Sequence, residues 1–243
     1  MFFLVRFDGR EKNDLRPINI EGPNFIKYPK GSVLISMGNT RVLCNASVLE
    51  RVPPFLNGKG SGWLTAEYNM LPAATHMRRE REGRRSGHIS GRTQEISRII
   101  GRALRGVTNL EKLGERSIYI DCDVLQADGG TRCASINGAF IAFKTAINSL
   151  IEDRIISNDP ISEYMGAISL GFVDGELLLD LNYEEDSKAE VDLNIVMTES
   201  KRIIEIQGTA ENKSFTVEEL NEMVTVAYDA IKKIIDIQKT ILE

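Results

Sequence analysis

Two hydrophobic rhythms divide the chain. Between residues 33 and 49, "VLISM" and "RVLCNASVL" have the apolar and β-branched enrichment of strands, and Gly38-Asn39-Thr40 between them reads as a tight turn. "RVPPFLNGKGSGWLTAEY" follows as a glycine- and proline-rich loop that returns into a short strand. At Ile96 the period changes. Ile96, Ile99, Ile100, Ala103, Leu104 and Val107 recur at helical spacing, with Arg98, Arg102 and Arg105 on another face. Ser90 is a candidate N-cap, which puts Arg92 in the first turn of that helix. "SIYIDCDVLQADGG" predicts a strand ending in a glycine turn, and Ile136, Phe140, Phe143, Ile147 and Leu150 then mark a second amphipathic helix.

Beyond Pro160 the strand rhythm returns in four segments: Ala167–Val173, Glu176–Asn182, Val191–Thr198 and Arg202–Gly208. Asp174-Gly175 is a strong hairpin signal between the first two. A long closing helix starts at Thr216, where Thr216 and Glu219 have the spacing of a capping box. Strands followed by helices, twice over, predict an α+β fold of two related β-α halves packed as one unit.

A length of 243 residues suits one large domain or two similar halves, and 42% hydrophobic with 27% charged residues allows a sizeable core. No apolar run approaches the roughly 18 to 20 residues of a spanning helix, so no membrane association is expected. The opening residues are too short for a signal-peptide core and have no basic stretch before them. Cys44, Cys122 and Cys133 are an odd count without metal-ligand spacing, so a reduced, cytoplasmic protein with free thiols is the plain expectation.

Charge changes the picture locally. The chain is acidic overall, with a formal net charge of −5, yet five arginines (Arg78, Arg79, Arg81, Arg84 and Arg85) face only Glu80 and Glu82 in one loop-like stretch. Both histidines, His76 and His88, lie there too. Such a run is either a solvated loop with internal Arg–Glu pairs or an arm that follows a nucleic-acid backbone. Little aromatic interleaving supports base stacking by this arm; Tyr68 is the nearest ring upstream.

Two further constellations carry chemistry. "GGTR", residues 129 to 132, lies where a strand hands over to a helix, so free N–H groups, the Thr131 hydroxyl and the Arg132 fork can hold a phosphate-sized anion. Taken alone, glycines at a helix start are usually just a turn. In "DLNYEEDSKAEVDLN", from Asp180, every even position is polar or charged. If extended, Asp180, Asp186 and Lys188 share one face, and a bulge or turn is expected near Glu184–Asp186. Crowded carboxylates suit Mg²⁺, which takes one or two of them plus water and substrate phosphate; a solvated hairpin face is the plain alternative. No G-x-x-x-x-G-K-[ST] loop, G-x-S-x-G elbow or paired-histidine zinc motif is present. Two phosphate-type sites, an acidic face and a basic arm together favour phosphoryl transfer on a polyanion.

Read in order, "DGR", "LRPI", "GSVLISMGNTRVLCNASV", "RVPPFL", "GWLTAEYNMLP", "SGRTQEISRIIGRALR", "LGERSIYIDCDVLQADGGTR", "LDLNYEEDSKAEVD" and "IEIQGTAE" resemble the bacterial ribonuclease PH family over nearly the whole chain. The resemblance implies a single ribonuclease PH-like catalytic domain over residues 1–243, assembled as a homohexamer of three dimers. It implies a phosphate-dependent exoribonuclease acting on precursor tRNA and other RNA 3′ ends, with inorganic phosphate as co-substrate and Mg²⁺ or another divalent cation as cofactor.

Carried over by motif, Arg92, Gly130, Thr131 and Arg132 match phosphate-binding residues. Asp180 and Asp186 match the paired aspartates that hold the metal or serve acid catalysis, with Lys188 as the accompanying lysine. Arg78 and Arg81 align with a tRNA-contacting basic loop, in which Arg79, Arg84 and Arg85 compensate for Ala73, where relatives can carry arginine. A hydrolytic metal-dependent nuclease and a non-catalytic RNA-binding subunit of an exosome-like ring are the rival readings.

Overall fold

The computed structural model describes residue 6 and residues 8–83, 87, 89–211 and 213–242, and these form two sheets around shared helices. The first sheet contains β1 (Ile18–Glu21), β2 (Gly31–Met37), β3 (Thr40–Leu49), β4 (Trp63–Met70) and β5 (Ser117–Gln126) in the order β1-β2-β3-β5-β4. The β2–β3 hairpin closes through Gly38, whose φ of 58° is available to glycine without strain. Only β4 and β5 run parallel, since α1 (Gly91–Gly106) carries the chain back across the sheet between them. A one-turn helix, α2 (Leu110–Leu113), leads into β5. Along β5, Ile118, Ile120, Cys122 and Val124 point into the core, while Tyr119, Asp121 and Asp123 take the other face.

Next comes α3 (Thr131–Glu152), the central helix. Its buried residues include Phe140, Phe143, Ile136, Ile147 and Leu150, and also Cys133, Ala139 and Ile141 on other faces. A helix buried nearly all round must be covered on both sides. It packs on β2 and β3 of the first sheet and on a strand of the second. Gly138 permits the approach: a Cβ there would stand 2.7 Å from both Cys44 Sγ and Ile35 Cγ2.

The second sheet is antiparallel throughout, in the order β7-β6-β8-β9, from β6 (Met165–Val173), β7 (Glu176–Leu179), β8 (Val191–Thr198) and β9 (Ile203–Ala210). Asp174 and Gly175, with φ of 50° and 78°, form the predicted hairpin turn. The closing helix α5 (Val217–Leu242) packs on β6 and β8, and its capping box forms between Thr216 and Glu219. One hydrophobic core runs from Val33 in the first sheet to Ile235 in α5. Among the described residues no helix is long and apolar enough to cross a membrane.

Two expectations are corrected. The strand from Glu176 stops at Leu179 instead of Asn182, and the chain then forms a one-turn helix, α4 (Tyr183–Asp186), before β8. Asn182 caps it, accepting from the Glu185 N–H at 3.0 Å while the Glu185 carboxylate accepts from the Asn182 N–H at 3.0 Å. Asp180, Asp186 and Lys188 therefore do not share an extended face. The second half also differs from the first in having only this single turn between its strands.

Candidate active site

The β5–α3 junction organises the site. Gly129 and Gly130 both have positive φ, 74° and 63°, and Gly130 is the N-cap of α3. A Cβ on Gly129 would stand 2.6 Å from the Leu181 carbonyl, so only glycine lets this turn lie against the segment entering α4. Thr40 secures the turn from β3, its hydroxyl donating to the Gly129 carbonyl at 2.6 Å and accepting from the Asp128 N–H at 2.9 Å.

A cavity of about 680 Å³ opens over this junction, and Arg92, Gly130, Thr131, Arg132 and Asp186 all line it. Arg92 comes from the first turn of α1, where Ser90 caps the helix by accepting from the Thr93 N–H at 3.2 Å. Among the described residues neither Arg92 nor Arg132 has a hydrogen-bonded or ion-paired acceptor, and the Arg132 Nε is buried without a partner. A solvent-open guanidinium with no protein acceptor among the described residues and a second with its Nε buried and unpaired, beside a helix N-terminus, suit an anion. Tyr68 adjusts it from behind: its phenol donates to Thr131 Oγ1 at 3.0 Å, which frees the threonine proton for an acceptor in the cavity.

Facing the arginines is a carboxylate pair that the sequence did not single out. Asp186 and Asp192 line the cavity together with Asn194, which donates to both oxygens of Asp192 at 3.3 and 3.2 Å. Burial and then the Asp186 charge push the Asp192 carboxyl up to about 6. Asp186 is open at the cavity mouth, yet the walls still desolvate it enough to raise its pKa against the opposing charges of Arg92, Arg132 and Arg16. The alternation Asp192, Asn194 along β8 was the available signal, but a polar strand face reads as solvated until its partners are known.

Asp180 is placed differently from the sequence expectation. It is 1% exposed and does not line the cavity. Its Oδ1 accepts from Arg16 Nη2 at 2.7 Å and its Oδ2 from the Arg16 backbone N–H at 2.8 Å. Arg16 in turn donates to the Asp128 carbonyl at 2.6 Å, on the loop that carries the glycines. The expected Asp180–Asp186 pair is thus replaced at the cavity by Asp186 and Asp192, because Arg16 occupies the Asp180 carboxylate. Lys188 is exposed in the turn after α4 and does not line the cavity either.

The two cavity carboxylates and the Asn194 amide are hard oxygen donors. Among the described residues no three His, Cys, Asp or Glu side chains converge on one point. This donor set fits Mg²⁺ that keeps water and substrate phosphate in its shell better than it fits a closed protein cage.

Of the arginine arm, Arg78 and Arg81 are exposed and Arg79 lines the cavity edge; Arg84, Arg85 and His88 lie outside the described residues. Glu82 ties the arm to α1, and among the described residues it is not ion-paired with an arginine. Its carboxylate accepts from the Ser90 and Thr93 hydroxyls, both at 2.9 Å. Burial works to raise the Glu82 carboxyl, and these bonds more than offset it, leaving it below the usual range.

Sequence comparison decides the family. Residues 14–147 match the family model described as "3′ exoribonuclease family, domain 1", and residues 163–230 match domain 2. The chain belongs to the 3′ exoribonuclease family. It is 58% identical over 240 residues to a ribonuclease PH of Bacillus subtilis (strain 168), covering 98% of this chain and 97% of that one. A ribonuclease PH of Bacillus velezensis is 57% identical over 239 residues, with the same two shares. Among solved structures, rice (Oryza sativa) Rrp46 superposes with a TM-score of 0.78 at 20% identity, covering 98% of this chain and all of that one. The Archaeoglobus fulgidus exosome with RNA bound to the active site gives a TM-score of 0.77 at 21% identity, covering 95% and 91%. At such identities these two share the fold of this family member.

Proposed function

We propose that the protein is a phosphate-dependent 3′ exoribonuclease of the ribonuclease PH kind, acting on precursor tRNA, and that both halves together form one catalytic domain. The observation that carries this reading is the pair of unpartnered guanidinium groups, Arg92 and Arg132, converging with the start of α3 on one cavity. There they hold inorganic phosphate beside the last phosphodiester of the RNA. A phosphate oxygen bonds to the terminal phosphorus, the bond to the penultimate 3′ oxygen breaks, and a nucleoside diphosphate leaves. The departing 3′ oxygen takes a proton, from water or from the Asp192 carboxyl, which burial and the Asp186 charge push up to about 6 in the absence of metal. Mg²⁺ held by Asp186 and Asp192 would neutralise charge developing on the bridging and leaving oxygens. One phosphate linkage is exchanged for another, so the reaction is close to balanced and runs both ways.

Positioning and electrostatics supply most of the acceleration, as in phosphoryl transfer generally. Arg78, Arg79 and Arg81, with Arg84 and Arg85, guide the RNA backbone toward the cavity. Asp180 acts through Arg16 on the phosphate loop. Assembly as a homohexamer in the cytoplasm completes the proposal; sedimentation of the purified protein tests the assembly.

The rival of a non-catalytic ring subunit is disfavoured, since relatives matching over almost their full length are themselves named ribonuclease PH. A 3′-extended tRNA incubated with Mg²⁺, with and without phosphate, tests the whole reading. Nucleoside diphosphate released only with phosphate is expected. Monophosphate released without phosphate would replace the proposal with hydrolysis, and no release at all would replace it with RNA binding alone.

A further inference from the structure

The phosphate cavity shares one wall with a second cavity of about 620 Å³, and that wall is built from His76 and Tyr183. Their ring centroids lie 6.4 Å apart with the planes tilted by 52°. The rings neither stack on each other nor pack into the core: Tyr183 is 54% exposed, and His76 is exposed too. Large aromatic faces left open beside an anion site are unusual, because each forgoes apolar burial.

Both rings stand on rigid supports. The Tyr183 N–H donates to Asp128 Oδ1 at 3.3 Å, and Asp128 Oδ2 accepts from the Asn39 amide at 3.1 Å. Gly129 presses directly on the Asn182–Tyr183 peptide. On the other side, the Ala127 N–H donates to the Ala74 carbonyl at 2.8 Å, and the Thr75 hydroxyl donates to the Met77 carbonyl at 2.7 Å, which fixes the turn bearing His76. A surface held this firmly loses little freedom when a ligand lands on it.

Charge says which part of an RNA fits. On one side of the rings stand Arg79, Arg92 and Arg132, which outnumber the Asp186 and Asp192 carboxylates of the same cavity. Among the described residues the second cavity is lined by Asp128 and Glu184, and by Asp8 and Arg16, which are ion-paired with Arg10 and Asp180 respectively, so its remaining charge is acidic. A polyanionic backbone can leave by the arginine side and not by the acidic side. Only the last residue of an RNA, which has no phosphate beyond it, can point that way.

We propose that Tyr183 and His76 form a stacking platform for the base of the RNA's 3′-terminal nucleotide. The platform rests on the reading of the cavity as an RNA 3′-end site and adds to it the group that sets the position of the last base. Stacking needs only a π face, so the platform accepts all four bases in turn, as removal of successive nucleotides requires.

The test is an affinity cycle on the full-length protein without phosphate. It uses a 3′-extended tRNA whose last residue is either intact or abasic. Tyr183→Ala weakens binding of the intact RNA roughly tenfold, the scale of one base–aromatic stack. Removing the terminal base weakens binding to wild type by a similar factor, and Tyr183→Ala then adds nothing further. Tyr183→Phe, which keeps the ring face, returns the intact RNA to within a few-fold of wild type. With phosphate present, Tyr183→Ala raises KM for RNA while KM for phosphate holds.

Equal losses on intact and abasic RNA, or no recovery in Tyr183→Phe, would overturn the platform. The same reaction run with wild type and phosphate reports separately on phosphorolysis, so failure of one reading is not mistaken for failure of the other.

Discussion

Asp180 gives both carboxylate oxygens to Arg16, one to the guanidinium at 2.7 Å and one to the backbone N–H at 2.8 Å. Burial opposes the Arg16 charge and the Asp180 carboxylate outweighs that cost. Through this pair the acidic motif after β7 holds the loop that opens α3. The aspartate singled out by its motif therefore shapes the arginine-lined cavity from behind.

Breaking that pair tests the claim. Asp180→Asn keeps a side chain that tolerates the φ of 54° at this position but takes from the buried Arg16 charge its directly bonded carboxylate, leaving only the weaker pull of Asp128. Its unfolding free energy should fall by roughly 3–5 kcal/mol, read from the urea midpoint. The KM for phosphate should rise as the loop loosens. A variant with wild-type stability and no activity would instead return Asp180 to the chemistry itself.

Arg132 should behave in the opposite way. Among the described residues its Nε is buried without a hydrogen-bond partner, so Arg132→Ala removes an unsatisfied donor but also a charge attractive to Asp186 and Asp192, and the urea midpoint should change little. Loss of its charged hydrogen bonds to phosphate should raise the phosphate KM about tenfold or more. Titrating phosphate at saturating RNA distinguishes this from weakened RNA binding, and an unaltered phosphate dependence would remove Arg132 from the anion site.

A pH effect follows from Asp192, whose pKa of about 6 in the folded protein lies above its ordinary 3.8. Between those values the folded state holds more protons than the unfolded one, so stability falls as pH rises through the interval and stays lower above it. In metal-free buffer Asp192→Asn should therefore be more stable than wild type near pH 7.5, with the gap closing near about pH 4. Millimolar Mg²⁺ should raise the wild-type midpoint near pH 7.5 and do so less in the variant. Identical midpoints for the two proteins at neutral pH would show that Asp192 carries no strain to relieve.

The arginine arm predicts a salt response. Replacing Arg78, Arg79 and Arg81 by alanine should reduce the slope of log affinity against log salt by roughly 2, at about 0.7 per single-strand phosphate contact. Urea stability should not change, since Glu82 and not these arginines fastens the arm to α1. An unchanged slope would leave the arm a solvated loop.

Local signals were legible in the sequence. The Gly38 turn, the Ser90 cap, the Asp174-Gly175 hairpin and the Thr216–Glu219 box each need only neighbours in sequence, and each stands where expected. The glycine turn before Thr131 was legible for the same reason, and it opens α3 where expected. What failed was anything set by distant partners. Arg16 and Asp180 are 164 residues apart, and no local pattern announces that one will consume the other. The polar alternation after Asp180 suggested a shared face if extended, with a bulge or turn near Glu184–Asp186, and a turn does form there. The N-x-x-E spacing of Asn182 and Glu185, itself a capping signal, marked the helix that interrupts it. Stacking by the arm was unsupported because few aromatic residues interleave with its arginines; Tyr183 lies more than a hundred residues from His76 in sequence, and only the fold brings the rings together.

The covering of α3 from both sides has a consequence for synthesis. When residues 14–152 have left a ribosome, the first sheet and α3 can dock, but the flank of α3 meant for β6 still faces water. That flank stays adhesive until the second sheet is made and laid over it. The later half of the chain thus acts as an internal chaperone for the earlier one, and neither half would be expected to persist as a free-standing soluble fragment.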